Sequence, residues 1–147
     1  MASINLQIAD AIALQINDNA SGLSIPGVVA ERMVTGYRSL PEFETVKVGV
    51  FPSVLERVLE SRQQIQKRFE YTLQVQKRLV QNEAPDQYMQ LSEEIADLLD
   101  FHQIVTPVRA SWRESITETI FEEDLIEDSH LFSAVTRLVY SYFPQVS

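Results

Sequence analysis

The chain contains no cysteine. That removes disulfide staples, thiolate metal sites and a cysteine nucleophile together, and it fits assembly in a reducing compartment. There are only four glycines, Gly22, Gly27, Gly36 and Gly49, and their spacing makes neither a phosphate-cradling loop nor a dinucleotide fingerprint. Histidine is scarcer still, at His102 and His130. No apolar run approaches the roughly 18 residues that a membrane-spanning helix needs. Polar Asn5, Gln7 and Asp10 interrupt the N-terminal apolar stretch, which has no basic leader, so it reads as a helix and not as a signal peptide. Basic residues are outnumbered, 12 against 21 acidic ones, and a net charge of −9 opposes general affinity for nucleic acid.

What is present is an ordinary core composition. With 147 residues and 45% apolar content, the chain reads as one domain over 1–147. Ile4, Ile8, Ile12 and Ile16 recur at helical spacing from Ser3 to Asp18, Ser3 is a suitable N-cap, and Asn17 to Gly22 is a stop signal. Val28 to Arg38 is a strand candidate. Val46, Val48 and Val50 alternate with polar or small residues as a half-buried strand does. Ser53-Val54-Leu55-Glu56 has capping-box spacing, which allows one or two helical turns, while the stretch to Ser61 is equally compatible with extended chain.

The clearest strand spans residues 62–80. Ile65, Phe69, Tyr71, Leu73, Val75 and Leu79 share one parity, interrupted by Lys67 and Lys77, and polar residues occupy the other. Its length predicts a part that bends or projects beyond the sheet. Pro85 and Asp86 suit a helix start, and Tyr88, Leu91, Ile95, Leu98 and Leu99 form its apolar face. Ile116, Ile120 and Leu125-Ile126 suggest another strand, and Leu131 to Phe143 a last one. The expected class is α+β: a small antiparallel or mixed sheet, two helices packed on one face, and a long protruding strand or hairpin.

No catalytic template fits. No serine sits in a nucleophile elbow. Glu44-Thr45-Val46-Lys47 carries one residue too many for a nuclease-like acidic-x-Lys ending, and a strand would put Glu44 and Lys47 on opposite faces. His102 and His130 lie near acidic residues, yet those acids read more simply as solvated surface than as a metal site. Neither a cofactor nor a small-molecule substrate is expected.

Charge is distributed unevenly. From Arg57 to Val80 six basic residues face two acidic ones, whereas from Gln81 to His130 thirteen acidic residues face only Arg109 and Arg113. This suggests a basic side, Arg62, Lys67, Arg68, Lys77 and Arg78, meeting an acidic side, Glu122, Glu123, Asp124, Glu127 and Asp128, on a neighbouring subunit. An acidic lumen is the competing use of those carboxylates. Trp112, between Arg109 and Arg113, is a candidate docking anchor.

Across nearly its whole length the chain resembles the tail-terminator, or tail-completion, proteins of long-tailed bacteriophages. The resemblance lies in the early helix, in Val46-Lys47-Val48-Gly49-Val50-Phe51-Pro52, and in Ser61-Arg62 leading to Arg68-Phe69-Glu70-Tyr71-Thr72-Leu73-Gln74-Val75. It continues through the acidic mid-chain helix to the closing stretch from Leu131-Phe132-Ser133 to Val139-Tyr140. Gln63 stands where a glycine often follows the Ser-Arg pair. The resemblance implies a noncatalytic virion protein, assembled in the host cytoplasm into a ring, usually of six copies. The ring would cap the tail tube and join it to the head and neck, with the tube protein and a neck or stopper protein as partners. DNA would pass through its lumen without sequence recognition, and no membrane is involved. The alternatives are a head-completion stopper or adaptor, and a small metal-dependent nuclease or hydrolase.

Overall fold

A computed structural model of the chain describes residues 3–25, 28–33, 46–61, 64–80, 83–105, 109–119 and 130–142; along 54–61, 64–65 and 118–119 the description is of the backbone. The first helix, α1, runs Ile4–Asp18 and starts where the sequence signals it, with the Ser3 side chain accepting a hydrogen bond from the Leu6 amide at 3.2 Å. Ile8, Ile12 and Ile16 on its apolar stripe are fully buried, each contributing roughly 1.5–3 kcal/mol of hydrophobic stabilisation. The second helix, α2, runs Asp86–Leu99 and buries Tyr88, Leu91, Ile95 and Leu99.

Among the described residues six strands form one mixed sheet: β1 Val29–Arg32, β2 Lys47–Ser61, β3 Gln64–Arg78, β4 Gln103–Ile104, β5 Ala110–Thr119 and β6 Leu131–Tyr142. Their order across the curled sheet is β1-β2-β3-β6-β5-β4. β1 pairs with β2 in parallel, and every other pairing is antiparallel. The protein is therefore an α+β fold. Residues 34–38 of the expected first strand lie outside the described residues, as do 120–129, so the expected strand around Ile116 is described as β5, with Ile120 and Leu125-Ile126 beyond its end.

The capping-box spacing at Ser53 does not produce helical turns. β2 stays extended to Ser61, pairing with β3 from Lys47↔Gln76 to Ser61↔Gln64. Proline is tolerated at position 52 because the register shifts between Pro52 and Val54. Proline has no N–H to give, and a bulge does not require one. Earlier in the same strand a Cβ on Gly49 would lie 2.6 Å from Phe51 Cε2, so the glycine leaves the room that this ring occupies.

The parity of β3 decides the layering. Phe69, Tyr71, Leu73, Val75 and Leu79 are buried on the helix side. Tyr71 donates its hydroxyl to the Asn5 carbonyl of α1 at 2.9 Å and meets Tyr140 edge-on, with ring centroids 6.3 Å apart. Tyr88 of α2 packs on Phe132 of β6 with centroids 5.8 Å apart. Phe132 and Tyr140 share one parity of β6, so both helices cover the same face of the sheet. Side chains from α1, α2 and the inward parities of the strands make one hydrophobic cluster.

Candidate functional site

The face away from the helices is polar. Gln66, Arg68, Glu70, Thr72, Gln74, Gln76 and Arg78 of β3 occupy it by alternation, opposite Ser141, Val139, Arg137, Val135 and Ser133 of β6 and their neighbours. The four described cations of the expected basic side are thereby divided. Arg68 and Arg78 are exposed on this open face, and Lys67 and Lys77 take the helix-side parity. Charge runs in sequence do not make one patch when the period is two.

Lys77 is only 8% exposed. Its ammonium reaches Glu83 Oε1 at 3.2 Å, donates to the Arg78 carbonyl and lies 5.5 Å from the centre of the Tyr88 ring. Glu83 also accepts from the Tyr88 hydroxyl at 2.6 Å and from the Val80 amide at 3.2 Å. Burial pushes the Glu83 carboxyl up, but those hydrogen bonds and the Lys77 charge outweigh it and hold the carboxyl below its ordinary value. Lys77 thus joins β3 to the start of α2 within its own subunit. Lys67 is half-buried opposite Tyr142. Arg62, Glu122, Glu123, Asp124, Glu127 and Asp128 lie outside the described residues.

Arg113 is not singled out in the sequence as a site residue, yet it lines a cleft on the open face. The β5–β6 register shifts between Trp112 and Glu114, leaving Arg113 as the extra residue of a β-bulge. A bulge re-aims side chains, and Arg113 Nε donates to Ser141 Oγ at 2.8 Å on the open face. Ser141 Oγ also accepts from Gln66 Nε2 at 2.6 Å. Gln66, Arg68, Arg113, Glu114 and Val139 border a cleft of about 320 Å3. No sequence spacing signals it, because the register that brings Arg113 beside Ser141 exists only after β6 inserts between β3 and β5.

Trp112 points the other way. It pairs in register with Tyr140, its indole N–H donates to Ser115 Oγ at 2.8 Å, and its ring lies 4.9 Å from that of Phe101. Phe101 is 85% exposed and adopts φ 61°, a left-handed conformation just past the end of α2 that usually falls to glycine. Trp112 and Phe101 together form an aromatic corner beside the two-residue edge strand β4. Nearby, His102 Nδ1 lies 3.2 Å from the Tyr140 hydroxyl, and burial lowers the imidazole pKa and keeps it neutral. Burial, and secondarily the Asp100 charge, raises the Tyr140 pKa.

Glu44 of the nuclease-like spacing lies outside the described residues. Among the described residues no group of three or more His, Asp or Glu side chains is placed to hold a metal ion. No described helix is long and apolar enough to cross a membrane.

No protein-family profile matches this chain, and no curated protein matches it. One solved structure aligns with 100% of this chain and 99% of its own length, at 15% sequence identity and a TM-score of 0.48. A likeness at that level carries no argument about function.

Proposed function

We propose that this chain is a noncatalytic structural subunit of a long-tailed bacteriophage virion, forming a ring that caps the tail tube and joins it to the head and neck. The observation that carries the reading is the β2–β3 hairpin. Each of its strands is 15 residues long. Among the described residues β6 accompanies β3 from Lys67 to Arg78, whereas β2 stays paired to Gln64. The outer pairs, Val58↔Gln66 to Ser61↔Gln64, therefore continue past the last described register pair with β6. A two-stranded extension gains little stability on its own, and contact with a neighbouring subunit or the tube is what such an arm serves. The mechanism is geometric: copies close into a ring, one side of which docks on the tube and the other on the neck.

The open sheet face supports the same reading. It presents Arg68 and Arg78 to solvent in a chain of net charge −9, the asymmetry that a head-to-tail ring uses to set its register. The sequence resemblance to tail terminators agrees with both features. Cryo-electron microscopy of the protein mixed with tail tubes tests the proposal. Rings seated at one end of the tube are expected; unbound monomers beside unaltered tubes would count against it.

A further inference from the structure

Two arginines flank Ser141 on neighbouring strands, and both line the cleft. Arg68 is its register partner on β3, and Arg113 reaches it from the bulge of β5. Among the described residues neither guanidinium has an acidic partner at ion-pair distance. The floor between them is built: Gln66 is 4% exposed and Ser141 2%. A serine hydroxyl has two acceptor lone pairs and one proton to donate. Gln66 Nε2 and Arg113 Nε occupy both lone pairs, at 2.6 and 2.8 Å, which seats Arg113 on this floor. Arg113 engages Ser141 through Nε, which fixes the plane of its guanidinium and leaves its terminal N–H groups for a ligand.

The cleft thus offers donors from two guanidinium groups, the groups that bind a planar anion in two-point fashion. Its charge limits the choice. Arg68 and Arg113 against Glu114 leave the lining at one net positive charge, which a single carboxylate neutralises and a run of phosphates does not match. The chain itself is rich in such groups, with five acids among the seven residues 122–128. We infer that the cleft bounded by Arg68, Arg113, Gln66 and Glu114 receives an Asp or Glu side chain of a second copy of this chain. The inference rests on the oligomeric reading above and gives the subunit contact a specific receptor.

The test uses the full-length 15N-labelled chain and an end-capped synthetic peptide of residues 120–130. Titration followed by NMR is expected to give saturable shifts at the Arg113 Nε–H and at the amides of Arg68 and Ser141. Arg113→Gln and Arg68→Gln should each weaken the peptide about tenfold, the scale of one charge-assisted forked contact. Arg78→Gln, on the same face but away from the cleft, should leave binding unchanged. A peptide with its five acids replaced by their amides should not bind. Because Arg113 also holds Ser141, the Arg68 variant decides the matter if Arg113→Gln folds poorly. Absence of saturable shifts, or equal binding by the Arg68 variant, overturns the inference. So does a short DNA duplex that displaces the peptide and loses binding in the same variants, since it would identify phosphate as the ligand. The larger proposal is read separately: Arg68→Gln rings seated normally on tubes would retain that function while removing the cleft from the contact.

Discussion

Lys77 Nζ stands 3.2 Å from Glu83 Oε1, and both side chains are largely withdrawn from solvent, at 10% and 18% exposure. The pair ties the end of β3 to the approach to α2, so a residue read in sequence as part of a basic surface belongs to the interior of the subunit. The consequence can be measured. Lys77→Met keeps most of the apolar stem and removes the charge, and it should cost about 1–2 kcal/mol through the hydrogen bonds lost to Glu83 and the Arg78 carbonyl. Arg78→Gln, one residue further and exposed, should stay within about 0.5 kcal/mol of the parent. Urea unfolding of the two variants checks this. Parental stability in Lys77→Met, combined with weakened assembly, would return Lys77 to the surface contact.

Acid should erode stability partly through Glu83. Its folded carboxyl titrates below its ordinary value, so its contribution is complete above the unfolded carboxylate pKa of about 4.3 and is lost as pH falls through the lower folded value. Glu83→Gln should therefore be less stable than the parent near neutrality and show a shallower decline below about pH 4.3. Unfolding free energies measured at several pH values decide it. An unchanged acid limb would show that Glu83 takes no part.

Asn17 substitutes for a strand at the sheet edge. Its Nδ2 donates to the Ala30 carbonyl at 2.9 Å and its Oδ1 accepts from the Ala30 amide at 2.7 Å, so α1 holds β1 in both directions. Asn17→Ala should cost about 2 kcal/mol, two net hydrogen bonds, and speed hydrogen exchange at the Ala30 amide. Asn17→Asp keeps the acceptor and loses the donor, and should fall between. Unaltered exchange at Ala30 in the alanine variant would mean that β1 is held by β2 alone.

The parts of the fold legible in the sequence are those governed by local period. α1 follows from isoleucines at every fourth residue and a serine cap, α2 from its apolar face, and β3 from strict alternation. The Ser53–Ser61 stretch was ambiguous because a capping box is a local signal, and the pairing of β2 with β3 overrides it. β4, two residues long, has no pattern to read. Trp112 was visible as an unusual residue between two arginines, but nothing in the spacing says that a bulge turns it toward Phe101 and turns Arg113 the opposite way.

The sequence by itself determined that the 62–80 region is a strand with one apolar face, since side-chain alternation needs no knowledge of neighbours. It equally determined that no cysteine chemistry is available, and that a basic stretch precedes an acidic one. Tertiary structure alone decided which of those charges share a surface. Alternation sent Lys67 and Lys77 to the helix side and Arg68 and Arg78 to the open side, and Glu83 then took Lys77 inward. The insertion of β6 between β3 and β5 set Arg68 and Arg113 on either side of Ser141. Neither result is contained in residue order, because both depend on which strands become neighbours and in what register.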